Sequence, residues 1–301
     1  MTDGASPRPD VSVVIVSYRC RELLRECLQS VDAHRIDLAL EVLVVDNDSA
    51  DGTAAMVREE FPWVDFTDTG ANLGFAVPNN MALRRCSAPT ILILNPDTVI
   101  PPGGLKRCVD ELWARPDVGM LTPRLVTRTG ELDRRCKRGF PTPWSSFCYF
   151  TGLDKVFTGP RSTRYTMGTL GEHEVGVVEA ISGAFMLVKA EVLDQVGLFD
   201  EQFFMYAEDI DLSLRIAGAG WSVLYWPMVD VIHVGAGSNT GGVRPPAADA
   251  AYFRTMAPFI RKHRPGLRGR LLALSVRLVS EAMYAASRAR GAVAARRGRS
   301  A

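Results

Sequence analysis

The 301-residue chain has no apolar run of 18 residues or more, the length a membrane-spanning helix needs. Its opening, MTDGASPRPD, is polar, so no secretory leader is expected. None of the six cysteines (Cys20, Cys27, Cys86, Cys108, Cys136, Cys148) stands in a CxxC pair. That removes the common zinc and dithiol signatures and leaves reduced thiols in a cytoplasmic protein as the expectation. The dinucleotide fingerprint GxGxxG is missing, because Gly70-Ala-Asn-Leu-Gly74-Phe75 has a different spacing. There is no internal repeat. The net charge is only +1 and no nucleic-acid motif is present, so no nucleic-acid partner is expected.

What the chain does have is core-forming material, 47% apolar residues, and an uneven charge distribution. From Ala251 to Ala301 there are twelve Lys/Arg and one acid, Glu281, a net +11 that leaves about −10 for residues 1–250. Ala251–Arg264 and Leu271–Ala286 combine apolar stripes with arginines. Such helices suit a membrane interface with anionic lipid; packing on the chain's own domain, or a homodimer contact, is the alternative.

Strands and helices alternate in the first half. Val11–Tyr18, Glu41–Asp46 and Thr90–Leu94 are β-branched or apolar runs of the kind buried on both sheet faces. Arg21–Val31 places Leu23, Leu24, Cys27, Leu28 and Val31 at helical spacing, and further helices are expected up to Glu60, over Asn79–Cys86 and over Gly103–Ala114. This series predicts a parallel, doubly wound α/β sheet. Arg134–Leu170 loses the rhythm and is rich in proline, aromatic and basic residues. A strand over Glu179–Val188, a helix closed by Gly197, a helix over Glu208–Ala217 and a strand over Trp221–Trp226 follow.

Ligands of open parallel sheets bind at the carboxyl ends of the strands, and the chemically informative residues sit there. Ser17 and Tyr18 end the first run; Asp46, Asn47 and Ser49 end the second; Asn95 and Asp97 end the third. Asp97, in LNPDT, suits a hard cation that takes its other ligands from phosphate, or else local turn donors. Asp46 suits a nucleobase donor or a helix cap. Glu208, Asp209 and Asp211 open a helix after the apolar string FFMY. The helix dipole favours acids there, and burial beside aromatics makes a carboxylate a better base. Asp211 and Arg215, at i,i+4, are expected to pair on the surface. His233 becomes a metal ligand only if folding carries it to Asp97.

The strings VSVVIVSY, EVLVVDNDSADGT, GANLGFAVPNN, LNPDT, SGAFMLVKAEVLDQVGLFDEQFFMYAEDIDLSLRIAGAGW and VIHVGAGS occur in an order that resembles family 2 glycosyltransferases, especially their rhamnosyltransferase-like branch, from Val11 to Ser238. The resemblance implies a GT-A fold, with a Rossmann-like, mostly parallel central sheet and helices on both faces. It also implies a domain at 11–240 between a flexible 1–10 and a basic helical extension at 241–301. The implied activity is inverting transfer from a nucleotide-diphospho-sugar (dTDP-rhamnose or a UDP-sugar) to a saccharide or polyprenyl-linked saccharide, with Mg²⁺ or Mn²⁺, at the inner face of the cell membrane. Ser17, Tyr18, Asp46, Asn47 and Ser49 match the nucleoside side. Asn72, Gly74, Phe75 and Asn79 match the loop and helix beside the donor. Asp97 matches the last Asp of the metal-binding DXD, whose first Asp is here Asn95, and His233 matches a C-terminal metal-site histidine. Asp209 matches the base of the ED pair, with Glu208 as the runner-up, and Gly183 and Trp221 are expected on the acceptor side. Two rivals remain, a sugar nucleotidyltransferase and a non-catalytic nucleotide-sugar binder. The first wants a glycine-rich, basic phosphate loop near the N-terminus, which VSVVIVSYRCRE lacks; the second has no use for Asp97, Glu208, Asp209 and His233 together.

Overall fold

The computed structural model describes residues 8–140, 142, 144–145, 148, 153–157, 159–235, 246–278 and 281. Most of the expected flexible N-terminus, the expected boundary at 240/241 and the end of the Leu271–Ala286 helix lie outside the described residues.

The β-branched runs form the parallel part of the sheet. β1 (Val11–Ser17) lies between β2 (Leu40–Asp46) and β4 (Thr90–Leu94), and β3 (Asp65–Asp68) flanks β2. Val13, Val14 and Ile15 are all fully buried although neighbours on a strand point to opposite faces, so both faces are covered. The covering helices include α1 (Arg21–Asp32), α2 (Thr53–Glu60), α3 (Ala76–Leu83) and α4 (Gly104–Ala114). α1 does this with Leu24, Cys27, Leu28 and Val31, one apolar stripe. Register brings the carboxyl ends level: Ser17 pairs with Asp46, Asp46 with Asp68, and Ile15 with Leu94.

The second half continues the sheet through β5 (Thr98–Val99), β6 (Val118–Val126), β10 (Phe185–Lys189) and β11 (Ser222–His233) in the order β3-β2-β1-β4-β10-β6-β11-β5. β7 (Lys137–Arg138) and β9 (Ala180–Ile181) form a separate antiparallel pair, and β8 (Gly176–Val177) adds to β11. β10 runs antiparallel between β4 and β6, so the parallel character belongs to the first four strands and to β6 with β11. Helices α5 (Ala190–Val196), α6 (Glu208–Gly218) and α7 (Pro246–His263) complete the described order. The expected α/β class holds.

Several local expectations change. The strand expected over Glu179–Val188 breaks at Ser182–Gly183–Ala184 into β9 and β10. β6 was not anticipated, because Pro123 and Arg124 interrupt its apolar pattern, yet all nine of its residues are buried. Arg124 is tolerated there by ion pairs to Glu172 and Asp230. The Asp211–Arg215 pair forms at 2.8 Å, but Asp211 is fully buried rather than on the surface. Lys262 and His263 of α7 also reach it, at 2.7 and 2.6 Å. The apolar stripe of Ala251–Arg264 packs on the domain instead of facing outward: Met256 and Phe259 are buried in a second cluster with Tyr165, Phe203, Ala207 and Ile210. The helical residues 267–278 differ, with Leu267, Leu271, Leu274 and Leu278 each more than half exposed.

Candidate active site

The carboxyl edge of the sheet carries two carboxylate stations joined by one tripeptide. At the first, β5 pairs antiparallel with the end of β11, matching Thr98 with His233, and Val234 N donates to Asp97 O at 3.0 Å. This zipper carries His233 across 136 positions of chain to Asp97, with Nε2 3.4 Å from Oδ1. Asn95 Nδ2 lies 3.5 Å from the same nitrogen. The other ring nitrogen, Nδ1, is 2.8 Å from Asp133 Oδ2, and Asp133 is gripped by Arg135 through Nε and Nη2, each at 2.9 Å. Burial alone disfavours a protonated His233, but hydrogen bonds to Asp133 and Asp97 outweigh it and push the imidazole up to about 9. The same contacts overcome burial to hold Asp97 and Asp133 below the usual carboxylate range.

Asp97 Oδ2 is buried without a partner, an orphan acceptor that normally requires an explanation. Among the described residues no three His, Cys, Asp or Glu side chains converge as a cage. A carboxylate with one orphan oxygen beside an imidazole fits Mg²⁺ or Mn²⁺ that would complete its shell with diphosphate oxygens and water. A single-carboxylate station is what the Asn95 substitution leaves.

The second station lies at the start of α6. Tyr206 and Ala207 both take positive φ, 71° and 73°, strain of the sort that concentrates at functional sites. Asp209 Oδ2 accepts from Gly183 N at 3.2 Å and from the buried Arg138 Nη2, which also donates to Ile181 O at 2.8 Å. Burial disfavours the guanidinium's charge, but the neighbouring Asp209 outweighs it, so that Arg138 holds its proton more firmly than usual. Glu208, adjacent and buried, has an orphan Oε2, and burial and then the charge of Asp209 push its carboxyl well above the usual range. The stations touch through the break in the old strand: Gly183 N binds Asp209, while Ala184 O accepts from Asn95 N at 3.0 Å. A Cβ on Gly183 would sit 3.2 Å from the Phe75 ring and 3.9 Å from Asp209 Cβ, so this position lines the site.

The remaining expected residues lie at the ends of β1 and β2 and in the loop and helix that follow β3. Both oxygens of Asp46 are already engaged by Ser49, through N at 2.9 Å and Oγ at 2.6 Å, and Arg19 N donates to Ser49 Oγ at 2.8 Å. Asn47 N donates to Ser17 O at 2.8 Å and Asn47 Nδ2 to Gly74 O at 2.6 Å, tying β1 and β2 to the next loop. Tyr18, half-buried, lies under the Arg19 guanidinium at 5.1 Å. Asn72 Oδ1 accepts from Gly74 N at 3.0 Å. Gly74 has φ +83°, and a Cβ there would fall 2.2 Å from Phe204 O, so only glycine fits. Asn79 Nδ2 donates to Phe75 O at 2.9 Å, leaving Oδ1 buried and unpartnered.

Trp221 is a correction. It immediately precedes β11, at the opposite end from His233, and lies by Lys189, which pairs with Thr90 at the amino end of β4. It therefore lies at the far edge of the sheet, and the fold does not bring it to either carboxylate station. Sequence reasoning missed Asp133, Arg135 and Arg138. They lie on one segment that runs from the first station to the second, and the basic string RRCKR after β6 was their only trace.

Known proteins resemble this chain over most of its length. A family model described as glycosyltransferase like family 2 matches residues 7–257. The N-acetylglucosaminyl-diphospho-decaprenol L-rhamnosyltransferase of Mycobacterium tuberculosis is 30% identical over 84% of this chain and 85% of its own. The rhamnosyltransferase WbbL of Escherichia coli is 27% identical over 74% of this chain and 83% of its own. A mannosyltransferase of Pyrobaculum calidifontis, solved with GDP-Man and Mn²⁺, shares the fold at TM-score 0.60 and 22% identity, covering 94% of this chain and 76% of that one. With a GT-A fold, ordered motifs and full-domain relatives in agreement, the chain belongs to glycosyltransferase family 2 and is a glycosyltransferase of the rhamnosyltransferase-like kind.

Proposed function

We propose that the enzyme moves a sugar, rhamnose first among the candidates, from a dTDP- or UDP-linked donor to a saccharide or polyprenyl-linked saccharide, with inversion, in cell-envelope polysaccharide synthesis. The observation that supports this reading is the Gly183–Ala184 link: Gly183 N binds Asp209, and Ala184 O accepts from Asn95 N, two residues before Asp97. Asp97 and His233 would hold Mg²⁺ or Mn²⁺, which when bound neutralises charge on the departing diphosphate. Asp209, aimed by Arg138 and Gly183 N, takes the acceptor hydroxyl's proton as that oxygen attacks the anomeric carbon. The attack in a single displacement inverts that carbon and needs no enzyme nucleophile. Ser17, Tyr18, Asp46, Asn47 and Ser49 shape the nucleoside end, and Asn72, Gly74, Phe75 and Asn79 the sugar end. Glu208 is the second reading for the base, favoured by its unpartnered oxygen and raised proton affinity.

Among the described residues no helix is long and apolar enough to cross a membrane. The exposed leucines of 267–278, with Arg268, Arg270 and Arg277, support attachment to the inner face of the membrane. Loss of vesicle binding in Leu271→Glu/Leu274→Glu tests this, and unchanged binding removes it.

The deciding experiment is product analysis with panels of nucleotide-sugars, metals and acceptors. The expected products are a nucleoside diphosphate and a glycoside of inverted configuration. Release of pyrophosphate instead would make the protein a nucleotidyltransferase, and a donor bound but never consumed would make it a binding protein.

A further inference from the structure

Residues 134–170 are the part of the chain that the sheet does not explain. They carry seven Lys/Arg against one acid, Asp154. That acid is buried against Arg134, so its charge does not reach the surface. Within this segment Thr142, Trp144, Arg161 and Arg164 line an open hollow of about 370 Å³. The Trp144 ring is 53% exposed, and Arg161 is exposed beside it.

The hollow is tied to the second carboxylate station. Gly139 N donates to Tyr165 O at 3.0 Å, and a Cβ on Gly139 would fall 2.3 Å from Arg164 O. The strand that carries Arg138 to Asp209 therefore lies directly against the backbone that carries Arg164. Glu179 fixes the arrangement from outside, accepting from Phe140 N and from Arg164 Nη2. It faces Arg164 alone, so the hollow keeps a positive balance.

We propose that this hollow is a subsite for the acceptor, binding the diphosphate and first sugar of a lipid-linked saccharide; the proposal rests on the functional reading above. The Arg161 guanidinium is a donor that suits phosphate, because its fork presents parallel N–H bonds to oxygens of one anion; Arg164, with Nη2 held by Glu179, adds its remaining N–H groups. An exposed indole offers an apolar face with a polar edge, which matches the C–H face of a pyranose. The donor's own diphosphate is drawn to the Asp97–His233 station, so a second anion-binding surface on the Asp209 side is free for the other substrate. Val156 and Phe157, exposed on the same segment, add apolar surface of the kind a prenyl chain seeks.

The test uses the full chain saturated with Mn²⁺ and the nucleoside diphosphate, so that the donor site is filled. Geranyl diphosphate is titrated by calorimetry into wild type, Arg161→Gln and Trp144→Ala. Wild type is expected to bind, Arg161→Gln to lose at least tenfold in affinity, and both variants to keep wild-type melting temperatures because the substituted side chains are exposed. In turnover, both should raise the acceptor KM about tenfold or more while the donor KM and acceptor-independent donor hydrolysis stay unchanged. No geranyl diphosphate binding, equal binding to both arginine forms, or a rise in donor KM would overturn the subsite. Inorganic pyrophosphate binding as tightly as geranyl diphosphate would reduce it to an anion site and overturn the glycolipid assignment. If geranyl diphosphate binds as expected but no lipid-linked saccharide is glycosylated, the functional reading fails and the anion-and-prenyl subsite stands.

Discussion

The two carboxylate stations answer the same problem, a buried acid, with different cations. Asp97 faces an imidazole whose positive charge is a proton, and that proton can leave. Asp209 faces a guanidinium, which does not deprotonate in proteins. On the proposed reading a metal ion takes the place of the proton on Nε2 at the first station. At the second it is the Arg138 charge that is permanent, while Asp209 gains and gives up a proton in each turnover.

The comparison breaks hardest at Arg138. Arg138→Met should cost about 3–5 kcal/mol in urea unfolding, because it strands Asp209 in a buried position. The double variant Arg138→Met/Asp209→Asn should recover a good part of that loss; full additivity of the two single losses would show that the pair is not coupled. Next, Asp209→Asn should lower kcat about a thousandfold with donor binding intact. Near-normal turnover would move the base to Glu208, and Glu208→Gln would then carry the loss.

A pH titration separates the stations directly. His233 binds its proton up to about pH 9 in the fold but only up to about 6.5 when unfolded. The contribution is therefore complete below about pH 6.5 and is lost as pH rises through about 9, about 3 kcal/mol in all. Melting curves in chelator should fall across that window, whereas Mn²⁺ affinity should rise across it as the competing proton leaves. The Arg138 guanidinium keeps its charge throughout that window. A flat profile in both measurements would mean that His233 does not face Asp97. The smallest effect is expected at Asp133, which orients the ring and fixes which nitrogen faces Asp97. Asp133→Asn should weaken Mn²⁺ binding about 10–100-fold, read by metal titration, with the fold retained.

How much of this was legible in the sequence depended on how local each signal was. β1, β2 and β4 declare themselves by continuous β-branched or apolar runs, and the residues at their ends followed from topology. β3, with the sequence DFTD, is polar enough to pass as loop, and β6 hides behind Pro123 and Arg124. Asp97 and Asp209 stand in recognisable strings. Asp133 and Arg138 do not, because their partners lie 100 and 71 positions away and nothing near them repeats or alternates. The turn at Ser182–Gly183–Ala184 was masked by apolar residues on both sides that read as one strand. Trp221 shows the converse error, a noticeable residue in a matching string that the fold carries to the wrong edge.

Asp211 gives the tail a consequence of its own. The family match ends at residue 257, yet the buried Asp211 receives Lys262 and His263 from beyond that limit. The stretch shared by inheritance is therefore shorter than the stretch that folds as one cooperative body. A protein trimmed to the inherited limit would leave the buried Asp211 of α6 without Lys262 and His263, and its loss of activity would report on folding and not on chemistry.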